Sequence, residues 1–339
     1  MAKSQSPIYH KLRFGSRVHS RLVVGVVLAL FIISAIMLIY LLRDVDLTQF
    51  REVGPFYLTL ILLLSVLSIG FYSLAVYILI QASGYKTTFG QTYLVLTASL
   101  SANYVTPIRV GIPLRIYLYK HFMGIPVSTG TALITVEVMV GMLTPAFIAI
   151  AGTALIFPAL GLKVPIILIS VLVVALLFVL RVRVESIQPF FARSPFSNAV
   201  TQLVHFVKRV QGALRQLPAA KLVGVVVLDL LILGLQTMRL WLVLSILGVK
   251  VSPLALLAVL TISLTAGNLS MIPMGLGVRD ASFTLLLTQL GVPSEIALAA
   301  AVIQRLFSPG WPLLLGLISA NILGVSELMK RSDGSPMSQ

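Results

Sequence analysis

The chain contains no cysteine, which excludes disulfides, thiolate metal sites and thiol nucleophiles. It is also short of charge: 10% of its 339 residues are charged, against 58% hydrophobic, and the mean hydropathy is +1.03. A soluble domain is near half apolar and a quarter charged, so this composition excludes an ordinary soluble enzyme, a disordered chain and a secreted disulfide scaffold. The four histidines, His10, His19, His121 and His205, lie in predicted loops or interfaces and share no metal-ligand spacing. There is no His-Glu-x-x-His, Gly-x-Ser-x-Gly or Walker A pattern, and Gly275-Leu276-Gly277 lacks the third glycine and the preceding strand of a dinucleotide fingerprint. The reading is an all-α polytopic membrane protein with no metal, no cofactor and no catalytic constellation.

The scarce charges are unevenly placed. Residues 1–21 carry five bases and no acid, and residues 181–221 carry seven bases against Glu185 alone; together they supply 11 of the 15 net positive charges. Two basic segments flanking apolar spans fit the positive-inside rule better than nucleic-acid binding. This places the N-terminus in the cytoplasm and the chain as a multi-pass protein of the cell membrane. Arg43–Pro55, with three acids and two bases, then falls outside.

Crossing about 30 Å of hydrocarbon takes about 20 mostly apolar residues. Leu22–Leu42, Phe56–Ile80, Val127–Phe157, Val164–Leu180, Leu222–Leu247 and Pro312–Met329 meet that, with a kink expected at Pro145. The expected organisation is a basic N-terminus over 1–21, one integral membrane domain over 22–329 and a polar tail over 330–339. Within 194–217, Phe196, Val200, Leu203, Val207, Val210, Leu214 and Leu217 recur by threes and fours, with Lys208, Arg209 and Arg215 off the stripe. That pattern predicts an amphipathic helix on anionic headgroups at the cytoplasmic face. A short coiled-coil seam has the same spacing.

The most informative feature is an internal repeat. Leu96-Thr97-Ala98-Ser99-Leu100-Ser101-Ala102 recurs as Leu260-Thr261-Ile262-Ser263-Leu264-Thr265-Ala266, with five identities in seven at an offset of 164. Asn103 and Asn268, Pro107 and Pro273, an Arg-containing segment, then Gly124-Ile125-Pro126 and Gly291-Val292-Pro293 follow in the same order. The copies cover 84–180 and 248–329. Each has two apolar runs too short to span, broken at Pro and Gly, which predicts re-entrant hairpins lining protein or a wet cavity. Three crossings between the hairpins place them on opposite faces. The fold expected is therefore six to eight transmembrane helices with two inverted-repeat hairpins and a site at the repeat interface.

Ionisable residues at membrane depth are costly, so each calls for a role. Arg109 and Arg115 flank Gly111 and Pro113 at the first break, and Arg279 and Asp280 follow the second. A guanidinium fork beside free backbone N–H groups suits a lipid phosphate. Asn103, Arg109, Arg115, Glu137, Asn268, Arg279, Asp280 and Arg305 are the candidate substrate-binding residues. Repeat symmetry is expected to bring Glu137 close to Arg305, either as glue between helices or as part of a mechanism. Asp229 and Arg239, ten residues apart on one helix, cannot touch and each needs another partner.

Pro107-Ile108-Arg109-Val110-Gly111 with Arg115, Glu137, and Pro273-Met274-Gly275-Leu276-Gly277-Val278-Arg279-Asp280 with Arg305 resemble the lysylphosphatidylglycerol synthase/flippase transmembrane family, over roughly 20–330. The chain departs from the family pattern at Ile112, where an acid is usual, and at Asp280, where Glu is usual. The resemblance implies a lipid-translocating fold with both motifs near the substrate cavity. The expected activity is binding or movement of an anionic, aminoacylated or polyprenyl-phosphate-linked lipid, without lipid synthesis. Homo-oligomerisation is left open. Two alternatives are a polyprenyl-phosphate-dependent glycosyltransferase using Asp44 or Asp46, and an ion-coupled carrier of a small anion. For the two aspartates, an outside loop is explanation enough.

Overall fold

A computed structural model describes residues 55–105, 110–181, 208, 211, 212, 217–270, 275 and 277–324. The first expected span, Asp44 and Asp46, Arg109, nearly all of the basic amphipathic segment and the polar tail lie outside these residues. The described chain is helical throughout: α1 Pro55–Ala82, α2 Phe89–Val105, α3 Gly111–Met123, α4 Val127–Ile156, α5 Lys163–Arg181, α6 Ala219–Ile246, α7 Pro253–Leu269, α8 Val278–Gln289, α9 Ser294–Arg305 and α10 Trp311–Ile322. A π turn, Leu306–Gly310, joins α9 to α10.

Four stretches are long and apolar enough to cross a bilayer: Pro55–Ala82, Val127–Ile156, Ala219–Ile246 and the composite Ser294–Ile322. Buried hydroxyls of α1 and α6 are satisfied on their own helices: Ser65, Ser68 and Ser73 donate to the carbonyls of Ile61, Leu64 and Ile69, and Thr237 to Leu233. Back-bonding of this kind lets a polar side chain lie in an apolar helix at low cost. Helix α4 continues through Pro145 as one element. The last crossing corrects the sequence reading: it runs over 294–322 rather than beginning at Pro312, because a π turn joins α9 to α10 without ending the helix.

The repeat reaches one helix further back than its sequence signature. Helices α1 and α6 have 28 residues each, α2 and α7 have 17 each, and both pairs start 164 positions apart. The second break is three residues longer, so α4 and α9 start 167 apart. Gly124 and Gly291 end the hairpins in left-handed conformation, with φ of 64° and 85°. Only glycine takes that backbone freely.

The two copies run in opposite directions. Ile61 and Leu64, early in α1, share a core cluster with Leu240, Val243 and Leu244, late in α6. Ala75, Val76 and Leu79, late in α1, share another with Val225 and Leu228, early in α6. Equivalent helices packed antiparallel are the relation an inverted repeat requires. The copies also interlock, since α2 packs on α10 and α7 on α4. Small residues permit the close approach: a Cβ at Gly316 would lie 2.3 Å from the Thr97 carbonyl oxygen, and one at Gly152 would lie 2.6 Å from the Ala258 Cβ. Thr97 also donates to the Ser319 hydroxyl at 2.8 Å across the α2–α10 contact.

Candidate functional site

Between the antiparallel α1 and α6, closed on other sides by α4 and the π turn, lies a cavity of about 430 Å³. Its walls are set by helical periodicity. Ser65, Ser68 and Tyr72 recur on one stripe of α1, and Asp229, Gln236 and Arg239 on one stripe of α6. Glu137 enters from α4 and Asn268 from α7.

Arg239 is 4% exposed and its partners are neutral. Its Nε and Nη2 donate to the Gln304 Oε1 at 3.1 and 2.7 Å, and its Nη1 donates to the Ser65 Oγ at 3.1 Å. The Ser65 proton is already committed to the Ile61 carbonyl, so its oxygen is left to accept. The guanidinium is thus well hydrogen-bonded, and none of these bonds cancels its charge.

Glu137 is held differently. Arg115 Nη1 donates to both carboxylate oxygens, at 3.0 and 2.9 Å, and the Tyr72 hydroxyl donates to Oε1. Arg115, on the first hairpin, is 2% exposed and stands behind Glu137 rather than in the cavity wall. This is a neutralised, hydrogen-bonded pair of the kind that burial demands. Asp229 lacks such a partner: Thr144 is its hydrogen-bonding neighbour, and Oδ2 is buried without a hydrogen bond among the described residues.

The breaks are built for close backbone approach. A Cβ at Gly111 would lie 2.0 Å from the Ser99 carbonyl oxygen and 2.6 Å from the Asn103 amide. Gly275, at φ +62°, sits against Gly267 in the equivalent place. Past the second break, Asp280 Oδ2 accepts the Gly277 N–H at 3.2 Å and caps α8. Arg305 grips Asp280 through Nε at 2.7 Å and Nη2 at 2.8 Å, and Nη2 reaches the Gly275 carbonyl at 3.4 Å.

The expected Glu137–Arg305 contact is therefore corrected: Glu137 pairs with Arg115, and Arg305 with Asp280. Repeat symmetry made positions 137 and 304 equivalent without making either the neighbour of the other. Of the candidates read from sequence, Glu137, Asn268, Asp229 and Arg239 line the cavity. Arg115 supports it from behind, and Asp280 with Arg305 form a clasp outside the lining. Arg279 packs its Cβ on Gly267 and Gly275, outside the lining yet close enough to Arg239 to act on it electrostatically. Asn103 lies against Gly111, with an Oδ1 that has no partner among the described residues. Tyr72 and Ser65 were missed; polar residues recurring as Ser65, Ser68 and Tyr72 in an apolar helix were the available signal. Among the described residues no group of histidine and acidic side chains is arranged to hold a metal.

Antiparallel copies of a helix–hairpin–helix unit, apolar on the outside and charged at their junction, define an integral membrane protein of the inverted-repeat type. The chain belongs to the lysylphosphatidylglycerol synthase TM family, whose transmembrane-region profile matches residues 22–316. No curated protein matches the chain significantly.

Proposed function

We propose that this protein is a carrier for a lipid with an anionic headgroup, working without a cofactor or a catalytic step in the cell membrane, with its N-terminus in the cytoplasm. The observation that carries this reading is Arg239: a buried cation in a cavity wall, held in place by neutral Gln304 and Ser65. A guanidinium fixed by neutral groups keeps its attraction for a phosphate, and the low-dielectric surroundings strengthen it. Membership of a lipid-related membrane family supports the lipid, and the position of the cavity between inverted copies supports alternating exposure of one site to the two leaflets.

The test is transfer of fluorescent-tail phosphatidylglycerol between leaflets of phosphatidylcholine vesicles holding the purified protein. Arg239→Gln should abolish transfer, and Arg239→Lys should lower it severely, because an ammonium cannot replace the fork that spans Gln304 and Ser65. Unchanged transfer in Arg239→Gln, with the variant folded, overturns the reading.

A further inference from the structure

Asp229 is the charged group that the carrier reading leaves unused. It lines the cavity from α6, and the repeat explains why it has no cation against it among the described residues. Helices α1 and α6 are equivalent at an offset of 164, so Asp229 occupies the place of Ser65 and Arg239 the place of Ala75. Ser65 meets Arg239 across the axis. The same contact seen from the other copy sets Asp229 toward Ala75, and both residues line the cavity. Where symmetry would supply a guanidinium, the chain supplies a methyl group.

Among the described residues, the titratable groups on the elements packed around α6 are few. Helix α1 offers Tyr72, which donates to Glu137. Helix α4 offers Glu137, neutralised by Arg115. Helix α7 has no ionisable residue. Helix α9 offers Glu295 in its first turn and Arg305, bound to Asp280. Helix α6 itself carries Arg239, about 15 Å along the axis, and Lys221 near its start. Arg279, on α8, acts on Arg239. Among the described residues of the cavity wall, the charges that remain after pairing are Arg239 and Asp229, one of each sign.

We propose that Asp229 is a proton-binding site that couples lipid movement to proton movement, one proton carried with each lipid phosphate. The proposal rests on the carrier reading above. Counting the described lining residues, the empty cavity holds an unpaired guanidinium and an unpaired carboxylate, which balance. Entry of a phosphodiester anion adds one negative charge, and protonation of the Asp229 carboxylate removes it again. The loaded form, with phosphate, guanidinium and neutral carboxyl, is then also neutral. Any other occupancy leaves a net charge to be carried through the hydrocarbon, which even the mildest insertion scales penalise. The O–H bond forms on the unpartnered Oδ2 as the lipid enters and breaks as it leaves, with the proton passing to water on the far side. A metal cation is a poorer fit, since sodium or calcium needs a shell of several oxygens and Thr144 is the hydroxyl beside this carboxylate.

Two measurements test it. In weakly buffered detergent solution at neutral pH, adding phosphatidylglycerol should draw about one proton from solution per lipid bound, as linkage requires. Asp229→Asn should bring that ratio to zero, and Asp229→Glu should retain it. In vesicles, a proton gradient should speed transfer several-fold in the native protein and in Asp229→Glu, but not in Asp229→Asn, with melting temperatures confirming that the variants are folded. Lipid binding without proton uptake overturns the coupling and leaves the carrier reading intact. Acceleration by a sodium gradient at fixed pH overturns the proton as the coupled ion. If the probe lipid neither binds nor moves, the carrier reading fails and the coupling fails with it.

Discussion

Glu137 and Gln304 stand at the same place in the two copies, each eleven residues beyond the proline of its Gly-Φ-Pro turn, and each accepts hydrogen bonds from an arginine. One acceptor is charged and the other neutral. The first copy thereby cancels Arg115, and the second leaves Arg239 a cation in the cavity wall.

Changing that single difference should convert one behaviour into the other. Gln304→Glu gives Arg239 a carboxylate partner, and charge-assisted bonds of this kind contribute about 1.5–3 kcal/mol. The variant should melt higher than the native protein while losing most lipid transfer. A stability gain with unimpaired transfer would separate Arg239 from anion binding.

Glu137→Gln should be among the most damaging single changes. It strands Arg115, which is 2% exposed, and removal of one partner from a buried pair costs about 3–5 kcal/mol. Adding Arg115→Met should recover much of that loss, since an apolar side chain of similar length then fills the space. Chemical or thermal denaturation in detergent reads both, and a double variant as unstable as the single one would show that the pair serves more than mutual neutralisation.

The Asp280–Arg305 clasp should behave more mildly. Its side chains are 31% and 15% exposed, so water screens the pair, and Asp280→Asn should cost about 1 kcal/mol, mainly through the weakened cap at Gly277. The loss should be larger at low salt than at high salt. Equal losses at the two salt concentrations would point to the cap alone.

Glycine substitutions separate close packing from mere smallness. Gly316→Ala should force α2 and α10 apart and cost about 1–3 kcal/mol. Gly70→Ala and Gly234→Ala, at equivalent open positions where a Cβ meets nothing within 4 Å, should be neutral or stabilising. Melting temperatures of the three variants give the comparison.

Opposite orientation of the copies is open to chemical labelling, because the chain has no native cysteine. Ser128→Cys and Ser294→Cys sit just past the two Gly-Φ-Pro turns, on exposed positions with helical backbone. An impermeant maleimide should label Ser128→Cys from the cytoplasmic side and Ser294→Cys from the outside. Labelling of both from one side would remove the inverted placement in the membrane.

Length and apolarity made the long helices legible: Phe56–Ile80, Val127–Phe157 and Leu222–Leu247 differ from α1, α4 and α6 by a few terminal residues. The Asn, Pro and Gly-Φ-Pro succession located the hairpins for the same reason, since those residue types constrain backbone directly. Contacts between copies were not legible. A repeat states which positions are equivalent, and adjacency depends on the axis relating the copies. Arg305 therefore finds Asp280 on the neighbouring α8, and not Glu137. Tyr72 was hidden among ten tyrosines, and α1 among apolar helices whose Leu, Ile and Val pattern matches any other such helix.

The interlock of α2 with α10 and of α7 with α4 bears on how the molecule is made. During synthesis the first copy emerges complete in sequence yet lacks the surface its own α2 must cover, which α10 supplies only 222 residues after Thr97 has been made. Until Gly316 and Ser319 arrive, Thr97 and Ser101 of α2 have no neighbour on that side. Neither half should accumulate alone in cells, where an unfinished membrane domain is removed by quality-control proteases. Two separately expressed halves should persist only when made together, so that each serves as the template on which the other closes.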